Sequence, residues 1–148
     1  MNVLPALEGG LTGAAALTLV HETVRRIYPD APRMDLIGMA ALSKIIRQAG
    51  ETPPSERKLY WYTMASDVAS NALFYSIAGL GKKKGVLQRG VALGLAAGIG
   101  AVVLPKHMNL PNKPSNRTPA TIALTIGIYL LGGVVAAGVM KLLEEKES

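Results

Sequence analysis

The sequence has no cysteine among its 148 residues, and that excludes disulfides and thiolate metal sites. Histidine is almost as scarce: His21 and His107 are the two present. Neither is followed by a second histidine at i+4, so the helical zinc pattern HExxH is missing, and no metal or other cofactor is expected. Aromatic residues make up only 5% of the chain while glycine numbers 16, so the apolar stretches must be built from small residues. No Lys or Arg precedes the first apolar run, MNVLPALEGG; the segment lacks the charged start of a secretory signal and is expected to be retained. GLGKKKG at 79–85 lacks the earlier glycine and the Ser or Thr of a phosphate loop. Asn116, Arg117 and Thr118 form a glycosylation sequon, but one that abuts an apolar run, and it reads as coincidental. No nucleophile can be paired with a neighbouring base, so the expectation is that the chain is not an enzyme.

What is abundant is apolar sequence, at 49% of residues and a mean hydropathy of +0.28, gathered into blocks rather than spread at the period of a soluble helix. The net charge of +6 falls in short loops beside those blocks. There the nearer partner is an anionic lipid headgroup, not nucleic acid.

These blocks predict an all-α, polytopic membrane helix bundle in a single domain over residues 1–148, with four transmembrane helices at about 4–28, 57–80, 86–104 and 119–143. In the first, Asn2 can cap and Pro5 sits in the first turn, and Pro29 ends the helix. Residues 34–48 are apolar nearly all round but too short to cross, which predicts an interfacial or re-entrant helix stopped by Gly50. Thr52 or Ser55 then caps the next helix, with Pro53 in its first turn. The second span begins with Arg57, Lys58 and the headgroup-level cluster Tyr60, Trp61 and Tyr62. A tight turn at Lys82, Lys83 and Lys84, suited to lipid headgroups, leads into the third, where Arg89 can snorkel back to the interface. A proline-rich loop from Pro105 to Thr118 precedes the last and most apolar span. The loops on the side of Arg25 to Lys58 carry the larger share of Lys and Arg, which leans toward termini outside.

Two sets of residues stand out within the spans. Thr63, Ser66, Asp67, Ser70 and Asn71 recur at spacings of three and four, which predicts one polar stripe facing protein or water. It serves either as a proton, ion or ligand path with Asp67 titrating, or as an interhelical hydrogen-bond lock. His21, Glu22, Arg25 and Arg26 close the first helix as candidate ion pairs. Small residues set the helix contacts: Gly9 and Gly13 in the first span, Gly90, Gly94 and Gly98 in the third and Gly133 in the fourth. The leading expectation is a non-catalytic accessory or scaffold subunit, a homo-oligomer or part of a larger membrane complex in anionic lipid, in a bacterial-type cytoplasmic membrane. The competing one is a proton, ion or small-solute transport unit using Asp67 and Asn71.

Overall fold

A computed structural model describes residues 3–146, which fold as six α-helices: α1 (Val3–Ile27), α2 (Met34–Gln48), α3 (Glu56–Ser76), α4 (Val86–His107), the single turn α5 (Lys113–Asn116) and α6 (Pro119–Lys146). No strand occurs among them. Three helices, α1, α4 and α6, are long and apolar enough to cross a membrane. Helix α3 forms where expected but is not among them, because Asp67, Asn71 and its hydroxyl residues dilute its apolar character. Asn2, expected to cap α1, lies outside the described residues.

Glycine decides how these helices pack. Helix α6 sits between α1 and α4, and α3 packs along α1 while also touching α6. A Cβ at Gly13 would collide with the Gly132 carbonyl and Ala136, and one at Gly9 with Met140 and Ala136. On the other flank Gly90 meets the Gly133 carbonyl, Gly94 meets Leu130 and Gly98 meets Ile126, all backbone atoms of α6. Backbones this close gain dispersion contacts along their whole length, which is the force available where lipid tails are as apolar as the helix surface. The glycine faces are therefore filled by helices of the same chain.

Helix α3 runs antiparallel to α1 over its full length. At one end the Tyr60 hydroxyl donates to Glu22 at 3.1 Å; at the other, Gly10 lies against Ala72 and Ser76. Tyr75, fully buried, lays its ring on Gly132 and donates to the Tyr129 carbonyl at 2.8 Å. Helices α3 and α4, although joined by a tight turn, touch little beyond it. Arg89 does not extend freely to the interface: its guanidinium donates to the carbonyls of Ala78 at 2.7 Å and Lys82 at 3.0 Å, stapling that turn.

Helix ends depart from the expected boundaries for identifiable reasons. Ser55 occupies the N-cap of α3 without a side-chain bond, and Pro53 and Pro54 precede the helix instead of entering its first turn. Helix α4 continues through Pro105 to His107. It closes with the paired bonds Leu110 N to Pro105 O at 2.8 Å and Asn109 N to Lys106 O at 3.3 Å, with Asn109 at φ 54°. Asparagine tolerates this left-handed position, and the double bond satisfies the last carbonyls of a helix whose final turn already lacks one donor. Gly50, at φ 83°, closes α2 in the same way.

Candidate functional site

Polar side chains concentrate at the end of the bundle where α1 finishes and α6 begins. Thr118 caps α6, accepting the Thr121 amide at 3.1 Å. Thr121 in turn donates to the Asp30 carbonyl at 2.8 Å. Arg117 binds the carbonyls of Pro29 and Ala31, and the Arg33 amide donates to the Pro114 carbonyl at 2.8 Å. The loop after α1 is thus fastened to the start of α6, and it delivers Pro32 to His21. The His21 Nε2 lies 2.9 Å from the Pro32 carbonyl and 3.3 Å from the Met34 amide. The carbonyl can accept only from a protonated Nε2 and the amide can donate only to its lone pair, so each tautomer satisfies one of the two contacts. Nδ1 then faces Glu22 at 3.8 Å.

Glu22 is held from several sides. Arg25 grips it through two bonds of 2.8 and 2.6 Å, Tyr60 adds its hydroxyl, and Arg26 stands at 3.6 Å. Arg26, at i+4, is therefore secondary to Arg25 at i+3. Bidentate pairing fixes geometry as well as charge, so this cluster also ties α1 to α3.

Between these elements lies a cavity of about 20 Å³ lined by His21, Asp35, Asp67, Thr18, Thr125 and Tyr129, with Leu17, Pro32, Met34, Met64 and Ile128. A polar cavity needs roughly 10–15 Å³ to hold one water molecule, and this one exceeds it. Asp35 also lines a wider opening of about 630 Å³ that reaches the surface past Arg25, Arg33, Glu56, Arg57 and Tyr60. The polar interior and this vestibule therefore meet at Asp35. Among the described residues no three His, Asp or Glu side chains converge closely enough to hold a metal.

The two carboxylates at the cavity differ sharply. Asp35, 3% exposed, receives two bonds from Arg33 at 2.9 and 2.7 Å. Burial pushes its carboxyl up, but the Arg33 hydrogen bonds and charge, helped by Arg25 and His21, outweigh it and hold the group below its ordinary value of 3.8. Stability from this pair is complete above that ordinary value and is lost as pH falls through the lower native one. Wild-type protein should accordingly lose thermal stability between about pH 5 and about pH 3, and Asp35→Asn should flatten that dependence. Equal slopes for the two proteins would disprove the assignment. Asp67, by contrast, has no hydrogen-bond partner among the described residues; its oxygens lie near Gly38 of α2.

The expected stripe on α3 splits. Thr63 is buried against Gly38 with its hydroxyl unpartnered, and Asp67 faces the cavity. Ser66 and Ser70 turn to the exposed side, where each hydroxyl donates to its own helix, at the Tyr62 and Asp67 carbonyls. Asn71 lines a separate groove between α3 and α4. Among the described residues, no side-chain hydrogen bond from Thr63, Ser66, Asp67 or Ser70 reaches another helix. Lys82, Lys83 and Lys84 sit exposed at the opposite end of the bundle.

Reading the sequence misses Asp35, Thr125 and Tyr129 as neighbours of Asp67, and Arg33 as the partner of Asp35. Asp35 carries the one usable signal, an acid in a short and otherwise apolar helix; Thr125 and Tyr129 are hidden within the most apolar span. Comparison with family models, curated proteins and solved structures finds no match, so function is argued from this geometry.

Proposed function

We propose that the chain is an integral membrane protein of four spans, with α2 at the interface, and that it handles protons at the cavity between His21, Asp35 and Asp67 as a proton or proton-coupled solute transport unit. The antiparallel course of α3 along α1 supports the fourth span: with Tyr60 beside Glu22 and Ser76 beside Gly10, α3 covers the same depth as α1. At 21 residues it extends about 31 Å, enough to cross a hydrocarbon core. Its polar residues turn inward or bond to their own backbone, which lowers the cost of placing them in lipid.

The observation that carries the transport reading is the unpartnered Asp67 carboxylate on the wall of a water-sized cavity, next to His21 and to an Asp35 that reaches the vestibule. A carboxylate kept for stability would be expected to have a hydrogen-bond or ion-pair partner, and half-buried Asp67 has none; one kept for proton exchange needs an accessible oxygen. Purified protein in liposomes loaded with a pH-sensitive dye should dissipate an imposed pH gradient faster than empty liposomes. Equal rates with and without the protein would overturn the reading.

A second reading, the accessory subunit, is favoured by one observation. Gly127 and Gly138 lie on α6 where a Cβ would meet no atom within 4 Å, so a partner helix could approach closely there. A particle isolated from native membrane in mild detergent should then contain a second copy or a stoichiometric partner polypeptide, and a bare monomer would refute it.

A further inference from the structure

The little-contacted face between α3 and α4 leaves a groove of about 560 Å³, within the roughly 300–1,000 Å³ typical of ligand sites. Its walls include Ser70, Asn71 and Phe74 on α3 and the small apolar Ala96, Ala97, Gly100 and Ala101 on α4. They shape a mainly apolar channel open along one flank. At its outer end the groove passes Met108 and reaches Leu110, which also lines a second depression of about 540 Å³ carrying Lys44 and Arg47 of α2. No Asp or Glu lines either space. Lys44 spends one donor on the Met108 carbonyl at 2.8 Å, which joins α2 to the end of α4 and leaves its other two donors available. Arg47 is exposed.

An apolar channel that ends in a cationic notch has the charge pattern of a phospholipid with an anionic headgroup. We propose that one such lipid docks here, its phosphate between Lys44 and Arg47 and one acyl chain along Ala101, Ala97 and Phe74. Bulk lipid tails already offer an apolar environment, so the groove alone cannot select a lipid. Selection comes from the notch, where basic residues near the surface attract anionic headgroups. The chain gains shape: alanine and glycine on α4 let it lie below the outer surface of the bundle. The nine residues from Ala96 to Leu104 extend about 12 Å, so the near half of the chain is held. The far half leaves through the open flank beyond Phe74.

The inference rests on the membrane placement of the bundle, which incorporation of wild-type protein into bilayers tests by itself. Incorporated protein would be probed by electron spin resonance with chain-labelled phosphatidylglycerol and, separately, chain-labelled phosphatidylcholine. A several-fold preference of the motionally restricted population for phosphatidylglycerol is expected. Lys44→Glu with Arg47→Glu should abolish the preference, and so should Ala101→Trp, which fills the channel without touching a charge; Ala96→Leu, at an exposed site, serves if Ala101→Trp does not fold. Equal restriction of both lipids by incorporated wild-type protein would overturn the proposal. So would a preference that survives channel filling, because basic charge alone would then explain it. A dimer in the bilayer that Ala101→Trp dissociates would assign the groove to a second copy and refute the lipid.

Discussion

Gly133→Leu is expected to open the bundle between α4 and α6, while Gly127→Leu, six residues earlier on the same helix, should leave it intact. A Cβ at Gly133 would run into the Gly90 carbonyl and the backbone of Gly94, and backbone cannot rotate aside as a side chain can. Overpacking a core costs about 1–3 kcal/mol when neighbours can shift. Here the helices themselves must separate, so a loss of about 3 kcal/mol or more follows. It would be read as a lowered midpoint of unfolding in mixed detergent micelles, with far-UV circular dichroism following the helices. At Gly127 a Cβ meets no atom within 4 Å, so its leucine variant should melt within about 0.5 kcal/mol of wild type, as surface changes commonly do. Equal loss in both variants would mean that glycine flexibility, not close approach, is what α6 requires. Equal tolerance would mean that α4 and α6 are not packed as described.

The contrast between Gly133 and Gly127 also marks how far the sequence could be read. The four-residue recurrence of Gly90, Gly94 and Gly98 identifies a face of close approach, because that spacing can serve little else in an apolar helix. It does not say whether the approaching helix belongs to the same chain. The pairing of that face with α6, and of Gly9 and Gly13 with the opposite side of α6, depends on tertiary order, which no local pattern encodes. The helices themselves were legible from apolar block length and from Pro29, Gly50 and the lysine turn. The end of α4 was not, because Pro105 normally signals a boundary and only the Asn109 closure allows the helix to continue past it. At the site, Asp67 was visible as a charge in an apolar run. Its neighbours were not: His21, Asp35 and Thr125 come from three other helices, and their meeting depends on the loop that Arg117 and Thr121 pull onto α6.

That loop gives the site its directional character. Pro32 reaches His21 because Pro29, Asp30 and Ala31 are each bound through their carbonyls to residues at the start of α6. The histidine is thereby held in place, with Nε2 against the Pro32 carbonyl and Nδ1 turned toward Glu22. Asp35, clamped by Arg33, stays ionised at the boundary of the vestibule. The vestibule it borders carries Arg25, Arg33 and Arg57 against Asp35 and Glu56, so the Asp35 charge is matched by positive charge beside it. Of the two carboxylates on the cavity wall, Asp67 is the one whose charge no protein donor already stabilises, and it is therefore the one free to gain and lose a proton without breaking the fold.

This asymmetry makes Asp67→Asn the sharpest test of function, because transport and structural roles predict opposite signs for stability. If Asp67 serves proton exchange, replacing it removes an unpartnered carboxylate near the Asp35 charge. The variant should then unfold at the same or a higher temperature, by up to about 1 kcal/mol, since the half-buried carboxylate makes no hydrogen bond that the amide would lose and its repulsion with Asp35 is removed. The same variant should reduce dissipation of the pH gradient to the level of empty liposomes. Such a gain in stability with loss of activity is the recognised signature of a strained functional group. If the carboxylate were instead structural, Asp67→Asn would lower the unfolding temperature and leave any gradient dissipation in proportion to the folded fraction. Asp35→Asn supplies the comparison: it strips Arg33, 38% exposed at its side chain, of its partner. Partial solvation of that guanidinium limits the loss, which should nevertheless be a destabilisation in every case. Measured together, a stabilised Asp67 variant and a destabilised Asp35 variant would separate the group that works from the group that holds it in place.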